Sequence, residues 1–219
     1  AIPIGLGSAI YMSEYASPKL RDYLKPLLEV LAGIPSVVYG FFAAITVAPL
    51  VVKIAEAIGL EATFNSALAS GVVMGIMIIP TISSLSDDVI RSVPDSQRKA
   101  SFGLGMTHGE TIRDIVLPSA MPGIISASLL ALSKALGETM VVVMAAGLRP
   151  NLSWNPLEDM TTVTVTIVNA LVGDFEFSSP ETLSAFALGL VLFVVTLILN
   201  MISLSLIRKF KEKYKVNTL

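Results

Sequence analysis

Lys134 and Glu138 are the two residues best placed to do chemistry, because both are charged and both lie inside a long apolar stretch over about 117–147. A charge at mid-bilayer costs about 2.5–3.5 kcal/mol on insertion scales and normally faces protein or water. At i and i+4 the two residues share one helix face. One reading is an internal ion pair that neutralises itself. The sharper reading has Lys134 donating hydrogen bonds to an oxyanion while Glu138 orients and balances it. Other reactive groups are scarce. There is no cysteine, so no disulfide or thiolate metal site can form, and the single His108 cannot build a metal site alone. Nor is there a Gly-x-x-x-x-Gly-Lys-Ser/Thr loop to cradle ATP phosphates. The chain is therefore expected to be non-catalytic, without metal, cofactor or nucleic-acid partner, and His108, Met140 and Met144 read as structural.

The element carrying Lys134 belongs to a chain that is 53% hydrophobic and 15% charged, with a mean hydropathy of +0.76. That balance suits lipid as solvent rather than water. A hydrocarbon core about 30 Å thick needs about 20 apolar residues per helix, and four stretches qualify, at about 26–52, 64–85, 117–147 and 183–207. Residues 1–16 read as the end of a truncated helix. The expected fold is an all-α, polytopic transmembrane bundle forming one domain over 1–219.

The basic residues sort onto one side of such a bundle. Lys19, Arg21 and Lys25 precede the first stretch, Arg91, Arg98, Lys99 and Arg113 lie between the second and third, and Arg208, Lys209, Lys211, Lys213 and Lys215 follow the fourth. The opposite loops carry only Lys53 and Arg149, against Glu56, Glu61, Glu158, Asp159, Asp174, Glu176 and Glu181. By the positive-inside rule the basic side is cytoplasmic. On the other side, Thr161 to Val168 nearly alternates Thr and Val, but Val163, Ile167, Ala170 and Leu171 also fit a helical stripe, so a short interfacial helix is expected.

The cytoplasmic segment 87–116 reads as two short helices around a glycine break. Pro94 suits a helix start, Gly103 and Gly105 allow a left-handed stop, and Thr107 with Glu110 has capping-box spacing. Pro118 ends the second helix or begins the third span. Helix, sharp turn and helix make a rigid knob, suited to docking into another protein.

At this knob the chain resembles the permeases of ATP-binding-cassette importers, whose signature is Glu-Ala-Ala, three residues, Gly, nine residues, then Ile-x-Leu-Pro. Lys99-Ala100-Ser101, Gly105 and Ile115-Val116-Leu117-Pro118 match it, with Lys99 and Ser101 departing from the usual Glu and Ala. The stretches Pro3 to Gly5, Ala9 to Tyr15, Leu31 to Phe41 and Lys134 to Met140 are similar to phosphate-specific permeases of the Pst C-subunit type, though Lys134 stands where these usually have Arg. The resemblance implies a bundle of the binding-protein-dependent importer (MetI-like) type in the cell membrane, with upstream spans. It also implies alternating access for inorganic phosphate, a homologous second permease, cytoplasmic ATP-binding subunits and a phosphate-binding protein outside. It assigns Lys134, Glu138 and Thr139 to the substrate pathway, and Lys99, Ala100, Ser101, Gly105, Ile115, Leu117 and Pro118 to ATPase coupling. Molybdate, sulfate or phosphonate importers share the cytoplasmic loop, and a channel or scaffold without an ATPase is the remaining alternative.

Overall fold

The computed structural model describes residues 1–172 and 179–213; Asp174, Glu176 and Lys215 of the charge sorting lie outside the described residues. Every regular element among them is helical. In chain order these are α1 (Ile2–Ile10), extended by a wide π turn at Tyr11–Tyr15, α2 (Pro18–Gly33), α3 (Ser36–Phe42), a π turn at Ala43–Val47, and α4 (Ala48–Ala57). Then come α5 (Ala67–Arg91), α6 (Asp95–Gly103), α7 (His108–Thr111), a π turn at Ile112–Val116, α8 (Leu117–Leu136), α9 (Met140–Ala145), α10 (Val163–Leu171) and α11 (Pro180–Lys213). Four helical stretches are long and apolar enough to cross a membrane: Ser36–Ala57, Ala67–Arg91, His108–Leu136 and Pro180–Ser205.

Two of the expected stretches are interrupted where the sequence suggested continuity. Residues 26–33 belong to α2, a charged helix carrying Lys19, Arg21, Asp22, Lys25 and Glu29, and the first candidate span starts only at Ser36. Pro35 causes the break, since the residue before a proline is pushed out of the helical region and Pro35 itself is extended at ψ 137°. The third stretch is not one helix to residue 147. It stops at Leu136, and Gly137 to Thr139 separate it from α9. By contrast, the alternating Thr and Val residues do fold as the helix Val163–Leu171.

The chain packs as two compact units. The first comprises Ala1–Gly33, Ile78–Ser133 and the described residues from Leu199 onward. Its core joins Ala9 of α1, Ile90 of α5, Val93, Val116, and Ala120 and Ile124 of α8. The α8 backbone approaches α5 so closely that a Cβ on Gly123 would land inside the Val89 side chain. Ser83 donates its hydroxyl to the Gly5 carbonyl at 3.0 Å and ties α5 to α1.

The second unit comprises Ile34–Met77 and Lys134–Ile198. Here α3 lies against α9 at Gly40, where a Cβ would stand 2.8 Å from Met144 Sδ and 3.0 Å from the Met140 carbonyl. Val142, Ala146 and Val165 form its buried cluster. The first amides of α5, which no helical carbonyl can reach, are taken up by neighbouring groups. Ala67 N–H donates to Glu158 O, Leu68 N–H to Pro156 O and Ala69 N–H to Ser66 Oγ. The loop supplying those carbonyls is held by Glu158, whose carboxylate accepts from Asn151 and Asn155. Hydrogen bonds from Ser153, Asn155 and Asn151 hold Glu158 below the usual carboxylate range.

Candidate functional site

The knob is built almost entirely from local sequence. Pro94 is extended and starts α6, and Asp95 in the first turn suits the positive end of the helix dipole. Gly105 ends it at φ +84°. Met106 N–H bonds back to Ser101 O and Gly105 N–H to Phe102 O, the paired pattern of a Schellman stop. Gly103, the other expected stop, does not take a positive φ. The chain then restarts through the capping box: Thr107 N–H donates to Glu110 Oε2 at 2.7 Å, and Glu110 N–H to Thr107 Oγ1 at 3.3 Å. Pro118 does not interrupt the helical path from the knob into the span. The Ile112–Val116 π turn carries α7 into α8, and such a wide turn accommodates a residue lacking an N–H.

Ser101 explains itself at this site. Its hydroxyl donates to the Arg98 carbonyl at 2.8 Å and lies 2.9 Å from Thr111 Oγ1, with both residues buried. The two hydroxyls staple α6 to α7 across the turn. Ala100, Ser101, Ile115 and Pro118 line one groove of about 350 Å³, together with Leu104 and Met106. Lys99, Gly105 and Leu117 are not in that lining; Lys99 and Gly105 are exposed and Leu117 is half-buried. Sequence reasoning overlooked Leu104, which is 84% exposed at the tip beside a half-exposed Phe102. The available signal was an apolar residue between two glycines, flanked by Phe102 and Met106.

The base of the knob is pinned by ion pairs between residues that no spacing in the sequence connects. Asp87 in the last turns of α5 is fully buried and bonds Arg21 Nη2 of α2 at 2.7 Å, with Lys25 Nζ at 3.9 Å. A buried carboxylate needs such partners, because unpaired it would bear its whole desolvation cost. The hydrogen bond to Asp87 raises the Arg21 guanidinium above its ordinary value, against the opposing pull of burial. Lys25 also pairs with Asp88. Arg98 of α6 meets Glu14 at 2.9 Å, with both side chains largely buried.

Lys134, Glu138 and Thr139 fall at the break between α8 and α9. Lys134 is exposed in the last turn of α8, where a cation suits the helix dipole, and no carboxylate among the described residues pairs with it. Glu138 is 8% exposed and lies beyond the helix end, so the two residues do not share a helical face. Its Oε1 accepts the Val141 N–H at 3.2 Å and so satisfies a free amide at the start of α9. Thr164 Oγ1 donates to the Glu138 carbonyl at 3.1 Å, which fixes the break against α10. Thr139, half-buried, donates to Gly137 O at 3.3 Å. Among the described residues the arrangement therefore offers one cation without a carboxylate partner, beside a carboxylate already committed to the backbone.

A sequence model of one family matches residues 1–213: binding-protein-dependent transport system inner membrane component. The chain belongs to this family. Among its relatives, the probable ABC transporter permease protein YqgH of Bacillus subtilis (strain 168) is 35% identical over 216 residues, covering 99% of this chain and 67% of that protein. The phosphate transport system permease protein PstC of Mesorhizobium japonicum is 36% identical over 217 residues, covering 91% of this chain and 65% of that protein. PstC 1 of Mycobacterium tuberculosis is 34% identical, covering 95% and 67%. The chain thus spans about two thirds of the length of these relatives. Of solved structures, the inward-facing MetNI methionine ABC transporter matches 95% of this chain and 87% of its own with a TM-score of 0.64 at 15% identity. A bacterial ABC transporter that imports the acidic polysaccharide alginate matches 95% and 72% with a TM-score of 0.66, also at 15% identity. At such identities the likeness speaks for the fold alone, and the fold is that of an ABC transporter permease.

Proposed function

We propose that this protein is the phosphate-translocating permease subunit of an ATP-driven importer. The observation that carries the reading is the identity of about a third, over nearly the whole chain, to permeases named for phosphate transport. The exposed Lys134, which no carboxylate among the described residues pairs with, supports it. A transported oxyanion must shed water inside the bundle, and a fixed cation offsets part of that cost through charge-assisted hydrogen bonds. Lys134, Glu138 and Thr139 form part of the pathway on this reading. The knob, with Lys99, Ala100, Ser101, Gly105, Ile115, Leu117 and Pro118, seats in cytoplasmic ATP-binding subunits, and the chain itself catalyses nothing.

Residues 1–219 act as one permease domain in the cytoplasmic membrane, with the basic loops and the C-terminal end inside. A homologous second permease and an extracytoplasmic phosphate-binding protein complete the importer, and lipid covers much of the apolar exterior. The outward-facing apolar surface of Pro180–Ser205, of whose apolar window only 6% is buried, suits such contacts. The purified complex should hydrolyse ATP faster when its binding protein is loaded with phosphate than when it is offered molybdate or sulfate. Equal stimulation by all three anions would refute phosphate as the substrate.

A further inference from the structure

The last turn of α1 and the two halves of the knob converge on one residue, Glu14. Its carboxylate lies 2.9 Å from Arg98 Nη2 in α6, before the turn at Gly105. Its backbone carbonyl lies 3.1 Å from His108 Nε2 in α7, after that turn. The helix ends at Tyr15, so no helical amide reaches that carbonyl, and His108 occupies the position of a C-terminal cap. Tyr15 adds an edge contact to the His108 ring at a centroid distance of 5.3 Å, and Phe102 stacks on the same ring at 6.2 Å. The Glu14 side chain is 6% exposed and that of Arg98 16%. Arg98 also donates to the Ile90 carbonyl at 3.0 Å and to Val93 O, so its guanidinium is anchored to the end of α5 while it holds Glu14.

We propose that Glu14 is a positioning residue through which displacement of the knob moves α1. The geometry makes the connection difficult to avoid. The staple between Ser101 and Thr111 holds α6 and α7 together, so a push on the knob shifts Arg98 and His108 as a pair. Glu14 must then follow, or a largely buried carboxylate must lose its cation. The π turn at Tyr11–Tyr15 places the clamped residue in a wide helical turn, the kind of irregularity at which helices kink. The competing role is that the pair only stabilises the fold.

The inference rests on the reading of the knob as an ATPase seat, and the test separates the two. In proteoliposomes holding the complete importer, Glu14→Gln should leave the ATPase bound and hydrolysing ATP. Phosphate taken up per ATP should fall about tenfold, because the amide oxygen still accepts from Arg98 but without the charge that strengthens the bond. His108→Phe keeps the ring contacts and the buried ion pair but removes the donor to Glu14 O, and it should lower the same ratio by a smaller factor. It decides the matter if the Glu14 variant fails to assemble. Unchanged uptake per ATP in the assembled variants, with only thermal stability reduced, would overturn the joint and leave a structural ion pair. An unmodified complex that binds no ATPase at the knob would overturn the docking reading, and the joint with it.

Discussion

The hydroxyls of Ser101 and Thr111 stand 2.9 Å apart inside the knob and join its two helices across the turn at Gly105. That turn requires glycine for conformational rather than steric reasons. Nothing lies within 4 Å of a Cβ placed on Gly105, yet its φ of +84° is one that side chains resist by about 1–2 kcal/mol. Gly105→Val should therefore distort the knob and either release the ATPase or separate its hydrolysis from uptake. Gly105→Asn, which tolerates this backbone better, should retain most activity. Normal transport by the valine variant with its ATPase bound would remove the knob from the coupling path.

At the α8–α9 break, Lys134→Ala should abolish most phosphate uptake while the complex assembles at normal yield, and Lys134→Arg should retain it. Glu138→Gln keeps an oxygen to accept the Val141 N–H, so α9 should persist and any loss of transport reports the missing charge. A self-neutralising pair would behave differently: the double variant Lys134→Met with Glu138→Gln would then transport normally. Uptake measured beside complex yield distinguishes the two.

The loop that caps α5 should respond to acid. Because the folded-state value of Glu158 is depressed by Ser153, Asn155 and Asn151, its contribution is fully present above the ordinary glutamate range and is lost as pH falls through the depressed value. Trp154 is the only tryptophan and is fully exposed on that loop, so its fluorescence anisotropy includes the mobility of this loop. Anisotropy should fall only below the ordinary glutamate range, and Glu158→Gln should remove the transition. An identical acid profile in both proteins would show that Glu158 does not hold the loop.

Much of this was legible because the deciding forces are local. Hydrophobic length marked the helices that can span, and the Thr107–Glu110 capping box and the Gly105 stop were readable as turn chemistry. The α2–α3 break was hidden because Leu27, Leu28, Val30 and Leu31 make an amphipathic helix look like the start of an apolar span. The break after Leu136 was masked in the same way, since the apolar run resumes at Met140 and only Gly137 hints at the interruption. Glu14 and Arg98 lie 84 positions apart, and no periodicity or spacing joins residues so distant. Their pairing follows from the packing of α1 against α5 and α8, which tertiary structure alone supplies.

Whether the chain is an ATP-driven phosphate permease is decided by uptake of labelled phosphate into proteoliposomes containing it, its partner permease, the ATP-binding subunits and the binding protein. Accumulation should require both ATP and the binding protein, and excess sulfate or molybdate should leave it largely intact. Phosphate entry that proceeds without ATP, or an ATP-driven uptake that excess molybdate or sulfate abolishes, would contradict that assignment.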